Sequence, residues 1–130
     1  MKKTFLFSLL VAALTSCGEE QNIKVGQKTT MELNPVYNAG KVIKGEVINA
    51  KFKIKNTGDY PLVFGEIRPS CSCTVADKPT KPIQPGETGE IIAQVKTDNL
   101  TTSRVNKSVT IMTNTEPNVT VLEIKATIKQ

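Results

Sequence analysis

Glu46-Val47-Ile48-Asn49-Ala50-Lys51-Phe52-Lys53-Ile54-Lys55 alternates apolar and polar side chains without a break from Ile48 onward. Ile48, Ala50, Phe52 and Ile54 share one side of an extended chain, and Asn49, Lys51, Lys53 and Lys55 share the other. A period of two belongs to a strand with one dry face and one wet face; a helix would repeat every 3.6 residues. Asn56-Thr57-Gly58-Asp59 follows as a turn.

The same rhythm runs outward in both directions. Ile91, Ala93 and Val95 alternate in Gly89 to Lys96, with Ile92 on the opposite face. Val105, Val109 and Ile111 alternate in Arg104 to Thr113, and Leu122, Ile124, Ala126 and Ile128 alternate to the end. Tyr60 to Ile67 reads as a strand with Leu62 and Phe64 on one face, and Pro61 places its start at a sheet edge. Met31 with Leu33, and Val36-Tyr37, give shorter signals. Pro79, Pro82 and Pro85 make Asp77 to Gly86 an extended connection ending in a turn, because each proline removes a backbone donor. No segment after the leader has a helical period. Roughly seven strands in about 95 residues predict an all-β, immunoglobulin-like β-sandwich over residues 29-130. The chain has no Trp, so it lacks the buried tryptophan of the antibody type.

The chain of 130 residues carries a formal charge of +5 and 38% hydrophobic residues. Removing Lys2 and Lys3 with the leader takes 17 basic residues to 15 against 12 acidic, a net charge of +3. The basic residues are interspersed with acids, so no stripe suited to nucleic acid is present and no nucleic-acid partner is expected. Histidine is absent. That removes the commonest general base and the commonest transition-metal ligand, and the expectation is a protein that is not an enzyme.

Residues 1-16 read as a signal peptide: Lys2-Lys3, then the apolar Phe5 to Leu14, too short to span a bilayer. Leu14-Thr15-Ser16-Cys17 resembles a bacterial lipobox. The resemblance implies cleavage before Cys17, a diacylglyceryl group on its thiol, and a membrane anchor through long acyl chains such as palmitate. Residues 17-28 then form the lipidated Cys and a polar tether. Gly18-Glu19-Glu20-Gln21-Asn22 resembles an acidic surface-export signal or serves as a solvated spacer. The expected location is the bacterial cell envelope, on the outer membrane, facing the periplasm or the surface.

Arg68-Pro69-Ser70-Cys71-Ser72-Cys73-Thr74 is the stretch with the most chemistry. In a flat strand Cys71 and Cys73 would face the same way with Cα atoms roughly 6.5 Å apart, near the upper limit for a disulfide. A bend between Pro69 and Thr74 would bring them closer. Four readings stand. The thiols are small buried residues at a strand start; or they form a reducible disulfide in an oxidising compartment; or they bind Cu(I), for which two thiolates suffice; or they act as a thiol oxidoreductase pair, without a nearby histidine or helix N-terminus to lower a thiol pKa. Zinc would need two further ligands.

Lys55-Asn56-Thr57-Gly58, Pro61-Leu62-Val63, Ser70-Cys71-Ser72-Cys73-Thr74, Pro82-Ile83-Gln84-Pro85-Gly86-Glu87-Thr88-Gly89-Glu90-Ile91 and Thr113-Asn114-Thr115 stand in that order. Together they resemble the bacterial lipoprotein family with domain of unknown function 1573, over about Val36 to Gln130. The resemblance implies an immunoglobulin-like fold similar to scaffold domains. The family usually has Gly where this chain has Ser72, and a left-handed turn there would cost a serine. The expected function is a membrane-anchored, non-enzymatic binding or scaffold module without a cofactor, contacting an envelope protein or a glycan through sheet edges or loop ends. The rival is a thiol-redox or Cu(I)-binding lipoprotein using Cys71 and Cys73.

Overall fold

The computed structural model describes residues 26–130; the leader, Cys17 and most of the tether lie outside the described residues. Eight strands follow one another: β1 Met31–Leu33, β2 Val36–Ile43, β3 Val47–Asn56, β4 Phe64–Pro69, β5 Thr74–Asp77, β6 Thr88–Lys96, β7 Arg104–Thr113 and β8 Val119–Lys129. They form two four-stranded sheets in the orders β1-β3-β6-β5 and β2-β8-β7-β4. No helix occurs among the described residues.

β3 behaves as its alternation predicts. Ile48, Ala50, Phe52 and Ile54 are buried while Lys51, Lys53 and Lys55 are exposed. Ile91, Ala93 and Val95 of β6 face them from the same sheet. Val105, Val109 and Ile111 of β7, with Leu122, Ile124, Ala126 and Ile128 of β8, close the core from the other sheet. Both inner faces are aliphatic with little aromatic content, as in an aligned sandwich.

Strand count and boundaries differ from the sequence reading. Val36-Tyr37 opens an eight-residue strand that pairs parallel with β8. This is a crossover between sheets that hydrophobic alternation cannot report. The strand expected from Tyr60 begins only at Phe64 and runs to Pro69. Leu62 instead makes an isolated bridge with Ile83 in the proline-rich connection. The extra strand, β5, follows the cysteines.

That proline-rich connection closes on a turn in which the Glu87 N–H donates to the Gln84 carbonyl at 2.9 Å. Pro85 holds the first central position and Gly86 the second, at φ 80°. The pairing of proline then glycine with positive φ is that of a type II turn.

Gln27 and Lys28, read as the end of the tether, are bonded to the domain. The Asn114 amide donates to the Gln27 carbonyl at 3.0 Å, and Lys28 pairs with Glu116. That pairing lowers the Glu116 pKa, first through the Lys28 hydrogen bond and then through its charge.

Candidate functional site

The cysteine stretch is the link between the two sheets. β4 of one sheet ends at Pro69 and β5 of the other begins at Thr74. Cys71 to Thr74 form a tight turn in which the Thr74 N–H donates to the Cys71 carbonyl at 3.2 Å. Cys73 directly precedes the first residue of β5, and both cysteines are half-buried in the turn that leads into it. Turning draws their Cα atoms to 5.3 Å, and the two sulfurs are joined as a disulfide. Every non-glycine residue described has negative φ, so Ser72 occupies the turn without the left-handed conformation that would favour glycine.

The turn is strapped on both sides. The Ser70 N–H donates to Ser108 O at 2.8 Å, and the Ser108 N–H donates to Ser70 Oγ at 3.0 Å. The Lys96 N–H donates to Cys73 O at 2.9 Å. The buried Thr74 hydroxyl lies 3.5 Å from Cys71 Sγ and 3.8 Å from Cys73 Sγ. While bonded to each other, the sulfurs offer no thiolate to a metal or a substrate. Nearby, Arg68 Nη2 donates to Glu66 at 2.7 Å. This hydrogen bond is the main cause of a lowered Glu66 pKa and a raised Arg68 pKa.

The stabilisation from a disulfide rises with the logarithm of the loop it closes, and a three-residue loop gives only about 1.5 kcal/mol by the chain-entropy relation. Replacing both cysteines by serine should lower unfolding stability by about that amount or less and leave a cooperative, folded domain. Denaturant unfolding of the double variant checks it. A loss above about 3 kcal/mol would mean that the pair holds the sheets together in a way loop closure does not describe.

The second feature is an open strand edge. β1 covers β3 only from Asn56 to Ile54, where Leu33 is the last partner. The chain then leaves through Asn34-Pro35 and crosses to the other sheet as β2. Val47 to Lys53 of β3 pair with β6 alone. The hydrogen-bond phase is set by two observations. The Thr57 N–H donates to Thr30 O at 2.9 Å, on the β1 side. The Asn56 N–H donates to Glu87 O at 3.0 Å, on the β6 side. Alternation then aims the backbone groups of Lys51, Asn49 and Val47 toward the side that β1 vacates, where the Val47 carbonyl accepts from Asn49 Nδ2 at 3.4 Å.

Beside this edge lies a cleft of about 920 Å³, lined by Leu33, Pro35, Tyr37, Lys51, Lys53 and Lys55 among others. The Tyr37 and Phe52 rings meet edge to face beneath it, centroids 6.2 Å apart. Glu32 is the only acidic residue in the lining. None of the ion pairs among the described residues uses Lys51, Lys53 or Lys55.

The terminal strands β1, β2, β4 and β5 are blunted in the ways that protect sheets from unwanted pairing. Shorter one-sided stretches remain at residues 88–91 of β6, 104–107 of β7 and 119–122 of β8. On β2, Asn34 Oδ1 accepts from the Val36 N–H, Asn38 Oδ1 from Gly40, and Glu46 Oε2 from Ile43. The register of β2 also shifts between Asn38 and Lys41. β4 is irregular between Phe64 and Ile67, ends in Pro69, and has the Lys78 ammonium donating to Gly65 O at 2.6 Å. β1 and β5 are three and four residues long.

The model of the family described as "Protein of unknown function (DUF1573)" matches residues 29–128. The chain belongs to the DUF1573 family. The residues that carry the resemblance serve the framework: Asn56 is bonded to Ile83, Gly86 and Glu87, and Asn114 to Pro61 and Val63. No curated protein matches the chain. Among solved structures, a Porphyromonas gingivalis W83 protein of unknown function is similar, with TM-score 0.70 and 20% identity over 84% of this chain. This chain spans about half of that one, 51%. The ASH/PapD-like domain 7 of human CEP192 is similar at TM-score 0.62 and 8% identity, over 79% of this chain and 87% of that one. Vibrio cholerae VesC, a secreted serine protease, is similar at TM-score 0.59 and 10% identity, over 79% of this chain and 24% of that one. At these identities the likeness is one of fold.

Proposed function

We propose that this DUF1573 domain is a non-enzymatic binding module of the bacterial cell envelope, carried on a lipid anchor at Cys17 and engaging its partner through the open edge of β3. The observation that carries the reading is the one-sided pairing of Val47 to Lys53 beside the cleft, the longest such stretch on the interior strands β3, β6, β7 and β8. A half-paired strand presents backbone donors and acceptors that a partner's main chain can satisfy. The chain's lack of histidine fits contact rather than proton transfer. The lipobox-like Leu14-Thr15-Ser16-Cys17 supports the anchor, since two or three acyl chains hold a protein on a bilayer durably. We place that anchor in the outer membrane.

Expression of the full chain in a Gram-negative host tests both halves. Wild type should fractionate with membranes and carry acyl mass, and Cys17→Ser should lose both. A photo-crosslinking residue at position 49 should give a discrete adduct in intact cells that the same residue at position 125, on the outer face of β8, does not. A product beginning at Met1 without acyl mass would overturn the address. Equal adducts, or none, from the two positions would overturn the binding edge.

A further inference from the structure

We infer that the β3 edge receives an extended segment of a partner protein in which acidic and apolar residues alternate. The inference rests on the binding reading above and supplies the chemistry of the partner. An added strand would continue the row that β1 abandons after Leu33. The seven positions from Val47 to Lys53 would accommodate a segment of about seven residues, roughly 23 Å at strand rise.

The side-chain pattern follows from pleating. Residues directly opposite each other on paired strands point to the same face. Lys51 and Lys53 point outward and are exposed. Partner residues opposite them would lie on that face too, two positions apart, within reach of both ammonium groups. Carboxylates there would find cations outside the ion pairs of the described residues, with Glu90 opposite Lys53 on β6 and Glu32 opposite Lys55 on β1 as the acids nearest in register. The intervening partner residues would point the other way, toward the sandwich flank where Leu33, Tyr37 and Phe52 meet. Apolar side chains suit that flank.

A second copy of this chain fits poorly. Antiparallel pairing of β3 with β3 over Val47 to Lys53 would set Lys51 opposite Asn49 and Lys53 opposite Val47, bring the two Lys51 side chains onto a diagonal and gather four lysines on one face. Edge lysines of this kind discourage self-association, and the same charges select an acidic partner.

The test uses the purified full chain in neutral detergent micelles and fluorescently labelled seven-residue peptides. One peptide alternates Glu and Val. A second has the same composition in two blocks. A third is the alternating peptide methylated on the backbone nitrogens that would face β3. Fluorescence anisotropy should show saturable binding of the first only. Amide hydrogen exchange should slow at Val47, Asn49 and Lys51. Lys51→Glu with Lys53→Glu, both at exposed positions, should weaken binding by about tenfold, because each reversal turns attraction into repulsion. An alternating Lys and Val peptide should recover it.

Equal binding of the block or methylated peptide would reduce the interaction to non-specific charge attraction and overturn the inference. So would preferential binding of a polyanion such as heparin, or no saturation by the alternating peptide at 1 mM, a weak limit for a short segment. If the crosslink from position 49 survives while these peptides fail, the edge binds a partner of other chemistry. If both fail, the binding reading falls with the inference.

Discussion

Asn56→Ala should lower unfolding stability by about 3 kcal/mol, because several buried partners lose their bonds at once. Asn56 is fully buried at the end of β3. Its Oδ1 accepts from the Thr29 hydroxyl at 2.7 Å and from the Gly58 N–H at 3.1 Å. Its Nδ2 donates to Tyr60 O at 2.7 Å and Ile83 O at 2.8 Å. One side chain thus ties the start of the domain, the turn after β3 and the proline-rich connection. Alanine leaves every one of those groups facing a void too dry to rehydrate fully. The melting midpoint should fall by roughly 12–20 °C for a domain of this size. The exposed Asn49→Ala should change stability by under about 0.5 kcal/mol. Asn56→Asp supplies a second check. It keeps both acceptor contacts but turns a carboxylate toward two carbonyls. Its folded-state pKa is then raised, so the penalty is present at neutral pH and shrinks as pH falls toward 4. A loss below about 1 kcal/mol for Asn56→Ala would show that the network re-forms through water.

The turn reading of Asn56-Thr57-Gly58-Asp59 was legible; the bracket was not. Asn and Gly announce a turn by their conformational habits, but nothing local says that the amide will be buried against residues 27 positions away on either side. Gly58 has the same history. A Cβ there would lie 2.6 Å from the Thr30 nitrogen, so the glycine is needed for close approach of the N-terminal segment rather than for its φ. Strand alternation was legible because burial on one face is written into every second residue of β3, β6, β7 and β8. Pairing order is a non-local property, so the parallel β2–β8 contact and the vacated edge of β3 left no signal in spacing. Lys51 and Lys53 were visible as a wet face, and only topology makes that face border an unpaired edge. The cysteines sit where a strand reading and a turn reading diverge, and the turn shortens a spacing of roughly 6.5 Å, expected from strand rise, to 5.3 Å.

Phe52→Ala should be the costliest single change, about 3–5 kcal/mol, the range for removing a buried phenyl ring. Phe52 is 2% exposed and central in β3. Only four Phe and two Tyr serve the whole chain, and Phe5 and Phe7 lie outside the described residues. The sandwich has few other large side chains with which to collapse a cavity. Tyr37 meets the ring edge to face from β2, so the deletion also frees the aromatic partner that couples the second sheet to the first. A midpoint drop of roughly 15–25 °C is expected in thermal unfolding. Phe52→Leu keeps most of the volume and should retain more than half of that stability. Near-wild-type stability for Phe52→Ala would mean that the flanking aliphatics close over the space, and that the β2–β3 contact contributes little to holding the sheets together.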